Sequence, residues 1–174
     1  MLLILSVGFF AACENNTQQK QDYEKIDNSL TQEEIDGGIL TPEILWKFNR
    51  IGGSQLSPDG ENVVFTITKY SVDKNTGRTH IYSIPTKGGE PVQLTEGEKS
   101  CHNPEWINEG EKIAYLSADT SGTQIYLMDA DGKNQEQKTQ IEGGINYFDI
   151  APNGEKLLYC KDVKMNDLAE DVYP

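Results

Sequence analysis

Ile51-Gly-Gly-Ser-Gln-Leu-Ser-Pro-Asp-Gly-Glu-Asn-Val-Val-Phe65 decides the fold, because the chain repeats it twice. Cys101-His-Asn-Pro-Glu-Trp-Ile-Asn-Glu-Gly-Glu-Lys-Ile-Ala-Tyr115 aligns with it without a gap. So does Ile145-Asn-Tyr-Phe-Asp-Ile-Ala-Pro-Asn-Gly-Glu-Lys-Leu-Leu-Tyr159. Gly60, Gly110 and Gly154 share one column, and Glu61, Glu111 and Glu155 share the next. Leu56, Trp106 and Ile150 form an apolar column before the glycine, and Val63, Ile113 and Leu157 form one after it. Repetition at a fixed period is the mark of a solenoid or propeller.

Each copy predicts a β-hairpin. Pro58 presets φ at the second position of a type I turn, and Gly60 takes a positive φ without steric cost. Ala151-Pro152-Asn153-Gly154 offers the same chemistry, while Asn108 replaces the proline in the second copy and predicts a weaker turn of the same kind. β-Branched and aromatic residues follow each glycine, as strands prefer. A second half recurs as well. His80-Ile81-Tyr82-Ser83-Ile84 and Gln124-Ile125-Tyr126-Leu127-Met128 lie 44 residues apart, followed by Gly88-Gly89 and Asp131-Gly132. One unit is therefore four short strands in about 44 residues, the size of a propeller blade. The first unit is longer, with Tyr70 to Arg78 predicted as an added polar loop.

The expected fold is all-β: a partial β-propeller of about two and a half four-stranded blades, preceded by a short helix. The divisions are 1–12 signal peptide, 13–38 lipid-anchored flexible tether, 39–50 lead-in helix, 51–100 blade 1, 101–144 blade 2 and 145–174 incomplete blade 3. Thr41 is the expected N-cap of the helix and Pro42 its first residue. Trp46 is expected to pack rather than to act. A closed ring needs at least about four blades, so the chain reads as part of a longer gene product.

The N-terminal divisions rest on local composition. Leu2 to Phe10 is an uncharged apolar run ending in Ala11-Ala12-Cys13. It is too short to span a bilayer and fits the apolar core of a signal peptide. Cysteine after two small residues resembles a bacterial lipobox, which makes Cys13 the expected lipidation site. Phe10 stands where an aliphatic residue is usual, no basic residue precedes the run, and the competing reading is an uncleaved apolar N-terminus. Glu14 to Gly38 is rich in Asn, Gln, Asp and Glu without a sustained apolar period, as in a solvated spacer.

Composition narrows the partners. With 28 acidic against 15 basic residues the net charge is −13, a field that repels nucleic-acid backbones. The expected membrane contact is the lipid anchor alone. Cys101 and Cys160 have no metal-site spacing; they either pair or remain as two buried free thiols, the second being favoured.

Few residues invite a catalytic reading. His80, placed at a strand edge, and His102, placed just before a strand, are the only histidines, and neither neighbours a serine in a strained elbow. Both are expected to be ordinary surface or loop histidines. Asp129-Ala-Asp-Gly-Lys-Asn134 faintly resembles the start of a calcium loop, but Glu136 falls too early for the closing bidentate ligand and the flanks are strands. A hairpin turn accounts for the same residues. Glu61, Glu111 and Glu155 are expected on a solvated face, and Tyr82 and Tyr126 in core or inter-blade packing rather than on a binding platform. No cofactor, metal or catalytic residue is assigned.

Ile39-Leu-Thr-Pro-Glu-Ile-Leu-Trp46, followed by Gln55-Leu-Ser-Pro-Asp-Gly60 and Val63-Val-Phe65, resembles the opening of prolyl oligopeptidase-family serine peptidases, in particular their bacterial acylaminoacyl-peptidase and dipeptidyl-peptidase branches. Lys161 to Met165 and Asp171 to Pro174 resemble a mid-propeller stretch of exported members. The turn motif is shared with TolB-like propellers. The resemblance implies a propeller that gates short peptides and a following hydrolase domain that carries a Ser-Asp-His triad. Its serine sits in Gly-x-Ser-x-Gly, a motif this chain does not contain. Peptide substrates would then be met through that catalytic domain.

Overall fold

The computed structural model describes residues 25–151 and 154–163. Two four-stranded antiparallel sheets follow one another along the chain, each in sequential strand order. The first holds β1 (Arg50–Leu56), β2 (Asn62–Ser71), β3 (Thr76–Pro85) and β4 (Val92–Gln93). The second holds β5 (Cys101–Ile107), β6 (Lys112–Asp119), β7 (Gly122–Asp129) and β8 (Glu136–Gln137). A third sheet pairs β9 (Tyr147–Ile150) with β10 (Leu157–Cys160). Each repeated hairpin thus opens its own sheet, as in a propeller.

The sheets stack through their faces. Val64, Ile81 and Leu94 on one face of the first sheet pack against Cys101, Ile113, Tyr115 and Met128 of the second. The opposite face of the second sheet, with Ala114, Leu116, Ile125 and Leu127, packs on Ile145 and Phe148 of the third. Alternation along each strand sends successive side chains to opposite faces, so β6 and β7 of the second sheet feed both cores.

The turns follow their chemistry, with one correction. Gly60 has φ 74° and its N–H donates to the Ser57 carbonyl at 2.8 Å. Gly154 has φ 71° and donates to Ala151 at 2.7 Å. The second copy is not a weakened version of this turn. Asn108, Glu109 and Gly110 all have positive φ, at 49°, 56° and 96°, and Glu111 N–H donates to Asn108 O at 3.1 Å. Proline, fixed near φ −65°, could not occupy that position, whereas asparagine tolerates the left-handed region.

Three further expectations change. Tyr70 to Arg78 is not a loop: β2 and β3 pair through Ser71↔Thr76, so the first hairpin is simply longer. The stretch 13–38 is not irregular throughout. Helix α1 (Gln32–Gly37) carries a capping box in which the Thr31 side chain accepts from Glu34 N–H while the Glu34 carboxylate accepts from Thr31 N–H. The lead-in helix α2 spans only Pro42–Lys47, with Thr41 as N-cap and Pro42 at its start. Lys47 Nζ joins the two helices through Glu34 at 2.7 Å. The Trp46 ring meets that of Tyr70 edge-on at 5.4 Å.

Candidate functional site

The innermost strands β1, β5 and β9 carry a column absent from the sequence expectations. Gln55, Glu105 and Asp149 occupy equivalent positions in the three copies. Gln55 Oε1 accepts from the N–H of Trp106 at 2.9 Å, and Trp106 Nε1 donates to the Gln55 carbonyl at 3.3 Å. One copy later, Glu105 accepts from the N–H of Ile150. Trp106 and Ile150 share the next column, so the same latch ties each inner strand to the one after it.

Glutamate performs this task at a cost. Burial first, then the nearby Asp149, pushes the Glu105 carboxyl above its ordinary value of 4.5, against the Ile150 bond. A raised carboxylate contributes most below its unfolded value, and that contribution is lost as pH rises through the folded one. Glu105→Gln, which copies Gln55, should therefore raise stability at about pH 7 by up to ~1 kcal/mol, the scale of one hydrogen bond. The gain should vanish near about pH 4, a difference readable from thermal melts at both pH values.

A second repeated network holds the outer strands. Tyr82 and Tyr126 donate from their hydroxyls to Gln93 Oε1 and Gln137 Oε1, both at 3.0 Å. Thr95 Oγ1 and Thr139 Oγ1 accept from the N–H of Ile81 and Ile125, both at 2.9 Å. The signal was available: Gln93-Leu94-Thr95 and Gln137-Lys138-Thr139 are 44 residues apart. The tyrosines pack as expected, Tyr82 against Phe65 with centroids 6.0 Å apart and Tyr126 stacked on Tyr115 at 5.7 Å.

His80 departs from its expectation. It lies inside β3 rather than at an edge, and it is buried. Its register partner is Ile67, and the equivalent pair in the second sheet is Gln124 with Ser117. Gln124 is fully buried and spans the return strand. Its Nε2 donates to Ile141 O at 2.8 Å, while its Oε1 accepts from Ile141 N and Thr139 Oγ1, each at 2.9 Å. His80 fills the same place and bonds the backbone of Gly97, 44 residues before Ile141. Its Nδ1 has no partner. It is a strut against the return strand.

Burial, then Arg78 and Lys69, holds the His80 imidazole below its ordinary 6.5. The unfolded chain therefore takes up the proton first, and stability present above about pH 6.5 is lost as pH falls toward the folded value. His80→Gln should remove this increment of acid sensitivity. Urea midpoints at about pH 7.5 and about pH 5.5 would measure it.

The remaining candidates resolve into turns and surface. His102 lies within β5 and is exposed. Asp129 to Asn134 forms a tight hairpin turn in which Gly132 N–H donates to Asp129 O at 2.9 Å. Its carboxylates are engaged by Lys112 at 3.1 Å, Lys133 at 2.6 Å and Asn134 at 2.5 Å. No cluster of three or more His, Cys, Asp or Glu suited to a metal occurs among the described residues. Glu61, Glu111 and Glu155 are exposed. Neither Cys101 nor Cys160 is in a disulfide; Cys101 is buried, but Cys160 is exposed, contrary to the expectation of two buried thiols. Burial raises the Cys101 thiol, which disfavours the reactive thiolate. Cys13 lies outside the described residues.

Comparison with known proteins places this architecture. No family model matches the chain. It is 34% identical over 148 residues to dipeptidyl-peptidase 5 of Porphyromonas endodontalis, covering 85% of this chain and 21% of that protein. Against dipeptidyl-peptidase 5 of Porphyromonas gingivalis it is 32% identical over 138 residues, covering 79% and 20%. The chain thus spans about a fifth of these relatives. Among solved structures, the acylaminoacyl peptidase of Pyrococcus horikoshii superposes with TM-score 0.54 at 18% identity, covering 66% of this chain and 17% of that one. That likeness shows the fold. A TolB protein from Agrobacterium tumefaciens superposes with TM-score 0.50 at 28% identity, covering 62% and 38%.

Proposed function

Because the chain is a relative of the prolyl oligopeptidase-family serine peptidases over their propeller portion, we propose that it forms the substrate-gating propeller of an exported peptidase that hydrolyses peptides. The observation that carries this reading is the 34% identity across 85% of the chain to a dipeptidyl-peptidase. The stacked sheets suit the role: blades held by inner-strand latches make a rigid wall, and a rigid wall can exclude large substrates from a catalytic domain beneath it. The hydrolytic triad would belong to that domain. Export and anchoring by lipid at Cys13 complete the proposal, supported by the apolar run Leu2 to Phe10 and by Ala11-Ala12-Cys13. On this reading the membrane is met through the lipid alone.

Two experiments test it. The coding DNA beyond codon 174 should continue in frame to Gly-x-Ser-x-Gly, and the protein so extended should release short peptides in a reaction abolished by a serine-reactive phosphonate. Further blade repeats and a stop codon would instead support the second reading, a non-enzymatic TolB-like lipoprotein that binds proteins in the cell envelope, which the TolB likeness favours. Labelling with a palmitate analogue in bacteria should mark the chain and fail on Cys13→Ala; equal labelling of both would refute the anchor.

A further inference from the structure

The first sheet carries an extension that the second lacks, and the extension builds a cavity. Ile67↔His80 of the first sheet matches Ser117↔Gln124 of the second, so Lys69↔Arg78 matches Asp119↔Gly122. The second hairpin ends at that pair, whereas the first continues through Tyr70↔Gly77 and Ser71↔Thr76. The blade itself does not need these two pairs, since the second sheet is complete without them. Together with Trp46 of α2 and the hairpin tip they line a cavity of about 380 Å³.

Two aromatic rings form its walls. Trp46 and Tyr70 meet with their ring planes at 74°, and Trp46 stays 46% exposed. Gly77 is required where it stands. A Cβ there would lie 2.9 Å from both Cδ1 and Cε1 of the Tyr70 ring, so glycine alone lets that ring lie across the strand. Trp46 is held just as firmly, because α2 is fixed at both ends. Ile44 N–H donates to Thr41 Oγ1 at 3.3 Å, and the Arg50 guanidinium donates to the carbonyls of Leu45 and Phe48 at 3.1 and 2.9 Å. Val72 adds an exposed apolar side chain, and Ser71, Asn75 and Thr76 add polar ones.

None of the lining side chains is charged, which selects a neutral ligand. Serine, threonine and asparagine each donate and accept hydrogen bonds, which selects a ligand that does both. A pyranose ring meets both demands. Its hydroxyls donate and accept around the rim, while its C–H face is apolar and bears a slight positive charge that the negative face of an aromatic ring attracts. A proline-rich segment also favours aromatic grooves, but it offers acceptors with few donors and needs about 3.1 Å of groove per residue. The volume lies near the lower end of the roughly 300–1,000 Å³ of ligand sites, room for one or two sugar rings. We propose that this cavity binds a neutral saccharide, stacked on Trp46 and hydrogen-bonded by Asn75 and Thr76. The inference stands whether or not the chain serves a peptidase.

NMR on the isotope-labelled full chain tests it, with glucose, N-acetylglucosamine and maltose as probes. At least one of them should give saturable shifts of the Trp46 indole N–H and the Asn75 side-chain amide, with the Trp106 indole, outside the cavity, unmoved. Trp46→Ala should abolish the shift of the Asn75 amide, while Trp46→Phe, which keeps an aromatic face, retains it. Thr76→Val, which keeps the shape and removes the hydroxyl, should weaken binding about fivefold, the loss of one hydrogen bond. Gly77→Ala, which displaces the Tyr70 ring, should weaken binding as well. No saturation with any of the three sugars overturns the proposal, and so does sugar binding unchanged in Trp46→Ala. Saturation by a proline-rich hexapeptide or by tetramethylammonium, with none by the sugars, overturns it in favour of a peptide or a cation.

Discussion

Gly132→Ala should destabilise the chain by about 2–5 kcal/mol, more than most single substitutions. A methyl group there would stand 2.9 Å from the carbonyl oxygen of Leu94 and 3.1 Å from its Cα. These are backbone atoms of the neighbouring sheet, so no side chain can swing aside. Gly132 also has φ 85°, a left-handed conformation that costs a Cβ-bearing residue about 1–2 kcal/mol. The forced separation of two packed sheets adds about 1–3 kcal/mol. The contact matters because Gln135 Nε2 bonds the same Leu94 carbonyl at 3.0 Å, making this turn a seam between sheets. Gly53→Ala is the control: a Cβ there meets nothing within 4 Å, and the change should stay within about 0.5 kcal/mol. Denaturant midpoints of the two variants should therefore separate widely. A calcium-loop reading of Asp129 to Asn134 predicts instead that added calcium moves the midpoint, which the lysine-paired carboxylates argue against.

Gln124→Ala should cost about 3 kcal/mol. The side chain is fully buried and makes three hydrogen bonds. Truncation leaves the Ile141 carbonyl and N–H and the Thr139 hydroxyl without their partner, and each such loss is worth about 1–3 kcal/mol where water cannot replace it. Gln124→His should lose less, because the first sheet builds its strut from His80 at the same place. Denaturant unfolding monitored by tryptophan fluorescence would rank the three proteins. Equal losses from alanine and histidine would show that the two struts are not interchangeable.

The hairpins were legible because their glycines and apolar columns obey rules that act within a few residues. Gly60 and Gly154 take the conformations their turns demand, and Thr41 and Pro42 start α2 as capping chemistry requires. What escaped depends on neighbours distant in sequence. His80 looked peripheral because a histidine among Arg78, Thr79 and Ile81 says nothing of the adjacent return strand that covers it. The Asn108 turn looked like a degraded proline turn because the two share a glycine at the end, yet their backbones have opposite hands. The pairing of Glu105 with Ile150 joins two copies, and no property of either copy alone announces it. The Gln-x-Thr pairs were visible at the repeat spacing, but only cross-strand geometry gives them meaning. The short helix α1 was hidden because Gln, Glu and Asp spell both a solvated spacer and a capping box.

The Gln55 and Glu105 latches point one way: the side-chain acceptor belongs to the earlier copy and the amide hydrogen to the later one. Every unit therefore carries half of the joint behind it and half of the joint ahead. A tandem duplication of one such unit in the gene would arrive with both halves already matched. Rings of this kind can in that way gain or lose a member without redesign of the neighbours, and a mismatch would surface only where the last unit meets the first.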